Sequence, residues 1–217
     1  MQPKSPSQGD VDARWKNPGS GEHYVSDRWR GSRARERDPR LVKRLLRTLP
    51  ASAQMEACLD VPCGTGRLAG TVDAPLFVQS DISMSMLGNI PTEAARGCPV
   101  QSSASALPFA SDSFDLVLCC RLLHHLTDSA VRQAVIQEIV RVSKDHVIAS
   151  YWDAATYGAW RRRTSSPLRR RKRPDVRQAV SFEVLCAEFQ AAGARVLRRA
   201  HSLRFVSQQT FLLAKKK

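Results

Sequence analysis

The stretch that decides the fold is residues 58–67, Cys-Leu-Asp-Val-Pro-Cys-Gly-Thr-Gly-Arg, in which a short apolar run leads directly into a turn with two glycines. This order is typical of the first strand and the ligand-binding turn of an α/β sheet. Glycine suits such a turn because it lets the backbone come close to a ligand. Together with Ala69, Gly64 and Gly66 fit the pattern G-x-G-x-x-A, which taken alone also permits a dinucleotide ligand.

Strands and helices alternate on both sides of this turn. The predicted strands are, in chain order, 55–61, 76–81, 99–103, 114–120, 145–152, 194–205 and 207–214. The predicted helices begin near Asp38 and at Ser83, and otherwise span 67–72, 129–142 and 181–193. This alternation predicts a Rossmann-like α/β fold, a seven-stranded and mostly parallel sheet with helices on both faces. No helix separates the last two strands, so we expect them to pair as an antiparallel C-terminal hairpin.

The composition is that of a globular protein. Of the 217 residues, 42% are hydrophobic, and no apolar run approaches the roughly 18 residues of a membrane span. The N-terminus lacks the apolar core of a signal peptide, so we expect a cytoplasmic protein. The six cysteines form no C-x-x-C pair, and we predict no metal site from them.

The net charge of +14 is concentrated in one segment. Arg161–Arg173 contains eight Lys or Arg residues and no acid, and Trp152, Tyr157 and Trp160 precede it. Aromatic side chains beside arginines suit an anionic membrane surface, and they equally suit a phosphate backbone with stacked bases. A solvated loop without a ligand is the alternative. The segment therefore predicts a lipid or RNA partner, and a peripheral position on a membrane would follow from the first.

Two carboxylates stand at the ends of predicted strands. Asp60 ends the first strand and Asp81 ends the second, 21 residues later. A carboxylate at the tip of the second strand can accept hydrogen bonds from both ribose hydroxyls. A carboxylate at the mouth of the first strand would repel a pyrophosphate, but it suits a ligand with an ammonium group. S-adenosylmethionine carries such a group on its methionine end and has no phosphate.

Three stretches resemble successive motifs of one family. They are LDVPCGTGRLAG at 59–70, VQSDISMSML at 78–87 and SALPFASDSFDLVLCCRLLHHLTD at 105–128. Over roughly residues 40–150 the sequence resembles the class I S-adenosylmethionine-dependent methyltransferases, in particular the small type 11 methyltransferase domain. The resemblance implies S-adenosylmethionine as the cofactor and methyl transfer as the reaction. It also agrees with the closing strand pair, because the seventh strand of that fold is antiparallel.

The resemblance implies a role for several positions around the first turn. Asp60 and the backbone at Pro62, Gly64 and Gly66 would face the methionine part of the cofactor. Pro62 departs from the family, which has its first glycine there.

Further residues of the same motifs would contact the rest of the cofactor. Asp81 would hold the ribose hydroxyls, with Ile82 beside the adenine. Ser103 and Ala104 occupy the usual adenine contact, although Ser103 stands where the family often has an aspartate. Cys119, like the following Cys120, would lie near the methyl group.

The resemblance also suggests how the ends of the chain are organised. Residues 1–37 would be a mobile N-terminal tail whose aromatic residues, such as Trp29, could cover the pocket or anchor a helix. Residues 38–217 would form the methyltransferase domain, with a basic insertion at about 152–180 in the part where this fold usually builds its acceptor site.

Two functions stay open at this point. The first is an enzyme that methylates an O, N or C atom of an unidentified acceptor, which could be lipid-like, a small molecule or, as a third option, RNA. His124 and His125 are the candidates for a general base where the acceptor must lose a proton. Packing against the following helix is the alternative role for these histidines. The second function is a methyltransferase-like module without turnover that binds nucleic acid or anionic lipid through its Arg-rich segment.

Overall fold

The computed structural model describes residues 32–50, 53, 55–97, 99–164, 177–201 and 207–217. The proposed pocket cover around Trp29 and most of Arg161–Arg173 therefore lie outside the described residues. None of the helices that the structure describes combines the length and the apolar character that a membrane span requires.

The described part of the chain alternates between strands and helices, as the sequence predicts. The helices are α1 (Ser32–Leu46), α2 (Met84–Leu87), α3 (Ser129–Val142), α4 (Tyr157–Thr164) and α5 (Phe182–Ala191), and short 3₁₀ turns lie at Thr92–Ala94 and Leu123–His125. The strands are β1 (Ala57–Asp60), β2 (Leu76–Asp81), β3 (Val100–Gln101), β4 (Phe114–Cys119), β5 (Ser143–Trp152), β6 (Ala194–His201) and β7 (Gln209–Lys216).

The seven strands form one sheet in the order β3-β2-β1-β4-β5-β7-β6. The first five strands are parallel, and β7 runs antiparallel between β5 and β6. The predicted fold class and its antiparallel hairpin are therefore confirmed. The carboxyl ends of β1, β2 and β4 meet at one edge, and that edge carries the candidate site.

The central strands are buried on both faces, which explains why β4 is apolar apart from Asp115. Val117 of β4 packs into a cluster with residues of α3 and α5, whereas Leu116 and Leu118 face a second cluster with α1. The apolar side of α1 in that second cluster consists of Leu41, Val42 and Leu45. Helix α1 is therefore fixed to the sheet by its buried side, and its opposite side faces outward.

Three local predictions are wrong. The segment 67–72 is not a regular helix, since it forms successive turns closed by short-range bonds such as Thr71 N to Leu68 O at 2.9 Å. Helix α1 begins at Ser32 rather than near Asp38, and Pro39 lies inside it. Helix α4 was not predicted, because its eight residues include three consecutive arginines and show no clear apolar period.

Candidate functional site

A cleft of about 830 Å³, counted to its open mouth, lies at the carboxyl ends of the central strands. Parallel sheets commonly bind ligands at this edge, where the connections leave in opposite directions. The cleft is lined by Pro62, Cys63, Gly64, Thr65, Arg67, Asp81, Ile82, Met86, Cys120, Arg121, Leu122, His124, His125, Trp152 and Arg177. It therefore combines backbone from the glycine turn with a wall of aromatic and basic side chains.

The glycines of the turn have different structural roles. Gly64 has φ +57° and lines the cleft, and apart from its chain neighbours no atom of the described residues lies within 4 Å of the position that a Cβ would take. Gly66 has φ +75°, and a Cβ there would lie 2.9 Å from Gln79 Nε2 and 3.0 Å from Ile90 Cγ2. Gly64 thus leaves room for a ligand, whereas Gly66 is required by packing. The Val61–Pro62 peptide bond before the turn is cis.

Asp81 connects the first turn to the second. Its Oδ2 accepts a hydrogen bond from Gly64 N at 2.9 Å, and its Oδ1 accepts one from Ser83 N at 2.9 Å. Burial raises the pKa of this carboxyl, and the backbone N–H donors oppose that rise. A carboxylate offers about four acceptor sites, so Asp81 retains capacity for a ligand hydroxyl beside its backbone donors.

Asp60 lies just beneath the cleft. Its side chain is 1% exposed, and neither carboxyl oxygen has a hydrogen-bond partner among the described residues. Burial raises its pKa to about 8, the charge of Asp81 adds to the rise, and Arg67 opposes it. Buried carboxyl groups without partners are rare, and strongly shifted ones concentrate at functional sites. Asp60 fits a role in receiving a cationic ligand group.

A buried ion-pair cluster fixes two arginines of the cleft. Asp38 of α1 is fully buried, and its Oδ2 accepts hydrogen bonds from Arg67 and from Arg121 Nε, the latter at 2.6 Å. Burial acts to raise the pKa of Asp38, but the two guanidinium groups outweigh it and hold that pKa below its ordinary value. The backbone of Arg121 has φ +64°, and its N–H donates to Ser150 Oγ at 2.7 Å.

Sequence reasoning missed this cluster. Its three members are separated by 29 and 83 residues, and no local spacing pattern joins them. The only signal was that Asp38, unlike Glu36, stands on the apolar side of a basic amphipathic helix. The cluster connects α1 directly to the mouth of the cleft.

Trp152 forms the far wall of the cleft. Its ring stacks on His124 with centroids 4.7 Å apart and an interplanar angle of 2°, and Arg177 Cζ lies 4.6 Å from its centroid. Its Nε1 donates to Gln209 Oε1 at 3.2 Å. His125 lies beside His124, with ring centroids 4.5 Å apart. The wall is therefore flat, aromatic and basic, a surface suited to a planar acceptor with negative charge.

The chain returns to this wall after the basic segment. Gln178 N donates to His124 O at 2.8 Å, and Val180 N donates to Trp152 O at 2.8 Å. Arg177 is thereby held at the cleft by backbone hydrogen bonds on its C-terminal side.

The structure brings together most of the residues that the sequence suggested. Pro62, Gly64, Asp81, Ile82, His124 and His125 line the cleft. Gly66 and Asp60 lie behind that lining, and Cys119 is fully buried in the core while Cys120 lines the cleft instead. Ser103 and Ala104 do not line it, and Ser103 Oγ instead contacts Ser105 Oγ at 2.9 Å. The ligand contacts assigned to these positions stay predictions.

Comparison with known proteins finds a family match over part of the chain. Residues 59–149 match the model of the methyltransferase domain family. A protein of Encephalitozoon cuniculi with a provisional methyltransferase name is 34% identical over 87 residues, which cover 40% of each chain. The tRNA (carboxymethyluridine(34)-5-O)-methyltransferase of Arabidopsis thaliana is 29% identical over 115 residues, 52% of this chain and 27% of the relative. The matched parts thus span less than half the length of either relative.

Solved structures show the same fold. The magnesium protoporphyrin IX methyltransferase of Synechocystis with bound S-adenosylhomocysteine has a TM-score of 0.74 at 18% identity, covering 97% of this chain and all of that one. The CcbJ methyltransferase of Streptomyces caelestis has a TM-score of 0.66 at 12% identity, covering 94% and 98%.

The fold is that of the class I methyltransferases, and residues 59–149 match the methyltransferase domain family. Such a domain implies S-adenosylmethionine as its cofactor, and the glycine turn, Asp60 and Asp81 fit that molecule. The family, fold and cofactor predicted from the sequence are therefore confirmed.

Proposed function

We propose that this protein transfers the methyl group of S-adenosylmethionine to an O, N or C atom of an acceptor that enters the cleft beside Trp152. The observation that carries the proposal is the position of Asp81, a cleft-lining carboxylate tied by Gly64 N–H to the turn that would approach the cofactor. Asp60, buried below the same turn with no hydrogen-bond partner among the described residues, supports a cationic ligand group nearby. The acceptor would therefore meet the cofactor from the opposite, aromatic side of the cleft.

The wall around Trp152 supports a planar acceptor that carries negative charge. Arg177 and His124 both contact the indole ring and line the cleft with it, so a flat group that enters would meet aromatic side chains and positive charge together. Two of the similar proteins described above are named for their acceptors, a magnesium porphyrin and a carboxymethyluridine of tRNA. Both acceptors contain a planar ring system. His124 and His125 are the candidate bases in the cleft for an acceptor that must lose a proton.

The proposal is tested by titration calorimetry of the full chain with S-adenosylmethionine and S-adenosylhomocysteine. Asp81→Asn should weaken both by about 1.5–3 kcal/mol, the usual contribution of a hydrogen bond to a charged group. Asp73→Asn is the matched control, because Asp73 is an exposed aspartate that does not line the cleft. Equal binding by wild type and both variants would disprove the role of Asp81. If the folded wild type bound neither ligand, the function would be wrong, and a binding module without turnover would replace it.

A further inference from the structure

The outward side of α1 carries a continuous stripe of positive charge. Arg40, Lys43 and Arg44 of α1 and Arg47 in the turn directly after it are all exposed. The last three lie three, four and seven residues after Arg40, so the four side chains share one side of the helix. We call these four residues the basic ridge. Among the α1 side chains that the structure describes, the acids are Asp38, which is buried, and Glu36, which pairs with Arg40.

A groove runs between the basic ridge and the glycine turn. Its empty space is about 1640 Å³, and Arg40 and Lys43 line one side of it. Thr65 and Arg67 line both this groove and the cleft, so the two cavities adjoin. A chain-like molecule lying in the groove would therefore lead into the cleft. Glu36 and Glu93 also line the groove, so three cations face two acids there. Arg40 is paired with Glu36 and Arg67 with Asp38, and the rest of the positive charge comes from Lys43 and from the ridge beside the groove.

We propose that the basic ridge and its groove bind the phosphate backbone of RNA, one nucleotide of which enters the cleft as the methyl acceptor. This inference rests on the function proposed above and names its substrate class. Four cations spaced along about 10 Å of helix match a phosphodiester chain, whose binding releases condensed counterions. A base entering the cleft would meet the ring of Trp152 and the guanidinium of Arg177, groups on which nucleobases stack.

The packing of α1 favours RNA over a membrane surface. A helix that lies on a bilayer inserts an apolar side into the lipid. In α1 that side is Leu41, Val42 and Leu45, which are buried against the sheet and are unavailable. The ridge itself presents only long basic side chains, and the surface beside it is concave. A flexible strand can enter such a groove, whereas a planar bilayer cannot.

The test is fluorescence anisotropy with a fluorescein-labelled stem-loop RNA, measured over a range of salt concentrations. The ridge variant combines Lys43→Glu, Arg44→Glu and Arg47→Glu. The control combines Arg195→Glu, Lys215→Glu and Lys217→Glu, three exposed residues that line neither the groove nor the cleft and that give the same total charge change. The logarithm of the binding constant for RNA falls linearly with the logarithm of the salt concentration. We expect this fall to be less steep in the ridge variant by about three, roughly one for each phosphate contact removed. The control should keep most of the wild-type slope.

Several outcomes would overturn the inference. An equal loss of RNA affinity in the ridge variant and in the control would show a general charge effect. Unchanged RNA binding in the ridge variant would exclude the ridge as the RNA-binding surface. Binding to phosphatidylglycerol vesicles that depends on the ridge, with RNA binding that does not, would assign the surface to lipid. The neutral pair Lys43→Gln with Arg47→Gln repeats the test if the charge-reversed protein does not fold.

Calorimetry with S-adenosylhomocysteine on the same proteins separates this inference from the proposed function. Loss of RNA binding with unchanged S-adenosylhomocysteine binding supports the ridge. A ridge variant that still binds both RNA and S-adenosylhomocysteine disproves the RNA-binding role of the ridge and leaves the proposed function standing. A wild type that binds RNA but not S-adenosylhomocysteine disproves the methyltransferase proposal and, with it, the assignment of RNA as methyl acceptor.

Discussion

The carboxylate of Asp81 accepts a hydrogen bond from the backbone N–H of Gly64, with 2.9 Å between Oδ2 and N. This contact joins the tip of β2 to the turn after β1, so the two ligand-facing elements hold one another. Because Gly64 has φ +57°, the direction of its N–H depends on a conformation that other residues adopt only at a cost. The geometry of the cleft is therefore set by backbone as much as by side chains.

Three glycines in the same turn should respond differently to alanine. In Gly66→Ala the new Cβ would lie 2.9 Å from Gln79 Nε2, and the residue would have to keep φ +75°. The free energy of unfolding should therefore fall by more than the roughly 1–2 kcal/mol of the left-handed conformation alone. Gly64→Ala should cost about that conformational term and should also weaken S-adenosylhomocysteine binding, because it lines the cleft. Urea unfolding and calorimetry measure both effects. Gly70→Ala, with open space and no positive φ, is the control, and a cost equal to that of Gly66→Ala would contradict this account.

Asp60 should make the protein less stable as the pH rises. Its pKa is about 8 in the folded protein against 3.8 for an ordinary aspartate, so the folded state binds more protons between these values. The free energy of unfolding should therefore fall with rising pH in this window, by at most about 1.4 kcal/mol per pH unit from this group. Asp60→Asn should remove that slope. The stability of the variant relative to wild type should therefore increase with pH up to about pH 8.

The measurement is the urea midpoint of wild type and Asp60→Asn at several pH values from mildly acidic to mildly basic. Asp73→Asn is again the exposed control and should keep the wild-type slope. A constant difference between the Asp60→Asn and wild-type curves would show that Asp60 is ionised throughout.

The ion-pair cluster at Asp38 should matter far more than an exposed pair on the same helix. Asp38→Asn leaves Arg67 and Arg121 without their shared carboxylate. Breaking a fully buried pair lowers the free energy of unfolding by about 3–5 kcal/mol. The loss in Asp38→Asn should be no larger than this, because the Arg121 side chain is 33% exposed. Glu36→Gln, which breaks the exposed pair with Arg40, should cost less than about 1 kcal/mol.

The pH dependence of this cluster has the opposite sign to that of Asp60. The pKa of Asp38 is held below its ordinary value, so its contribution is present above about pH 3.9 and is lost as the pH falls further. Thermal unfolding of wild type and Asp38→Asn in acid should therefore converge. Similar costs for Asp38→Asn and Glu36→Gln at neutral pH would contradict a structural role for the cluster.

Local sequence patterns predicted those parts of the molecule that depend on neighbouring residues. Strand β2 and helix α3 have the predicted bounds, because an apolar run and a regular helical period mark them. Asp81 could be placed in the site because the end of β2 fixes it. The segment 67–72 was mistaken for a helix, since its apolar spacing is compatible with the turns that occur there.

Features that depend on distant contacts could not be predicted. Strand β4 is buried on both faces, so its sequence does not alternate and could not show that Cys120, rather than Cys119, lines the cleft. The Asp38 cluster joins residues up to 83 positions apart. The stack of Trp152 and His124 likewise depends on how β5 and the turn after β4 come together in the sheet.

Trp152 should report ligand binding through its fluorescence. It lines the cleft, whereas Trp160 is 53% exposed, stacks on Tyr157 and lies outside that lining. Saturation with S-adenosylhomocysteine should change the emission of wild type and of Trp160→Phe, and Trp152→Phe should lose most of that change. Trp152→Phe also removes the bond from Nε1 to Gln209, which should cost about 1 kcal/mol of stability. If the signal survived in Trp152→Phe but was lost in Trp29→Phe, the reporter would be the N-terminal segment, and the predicted pocket cover would gain its first support.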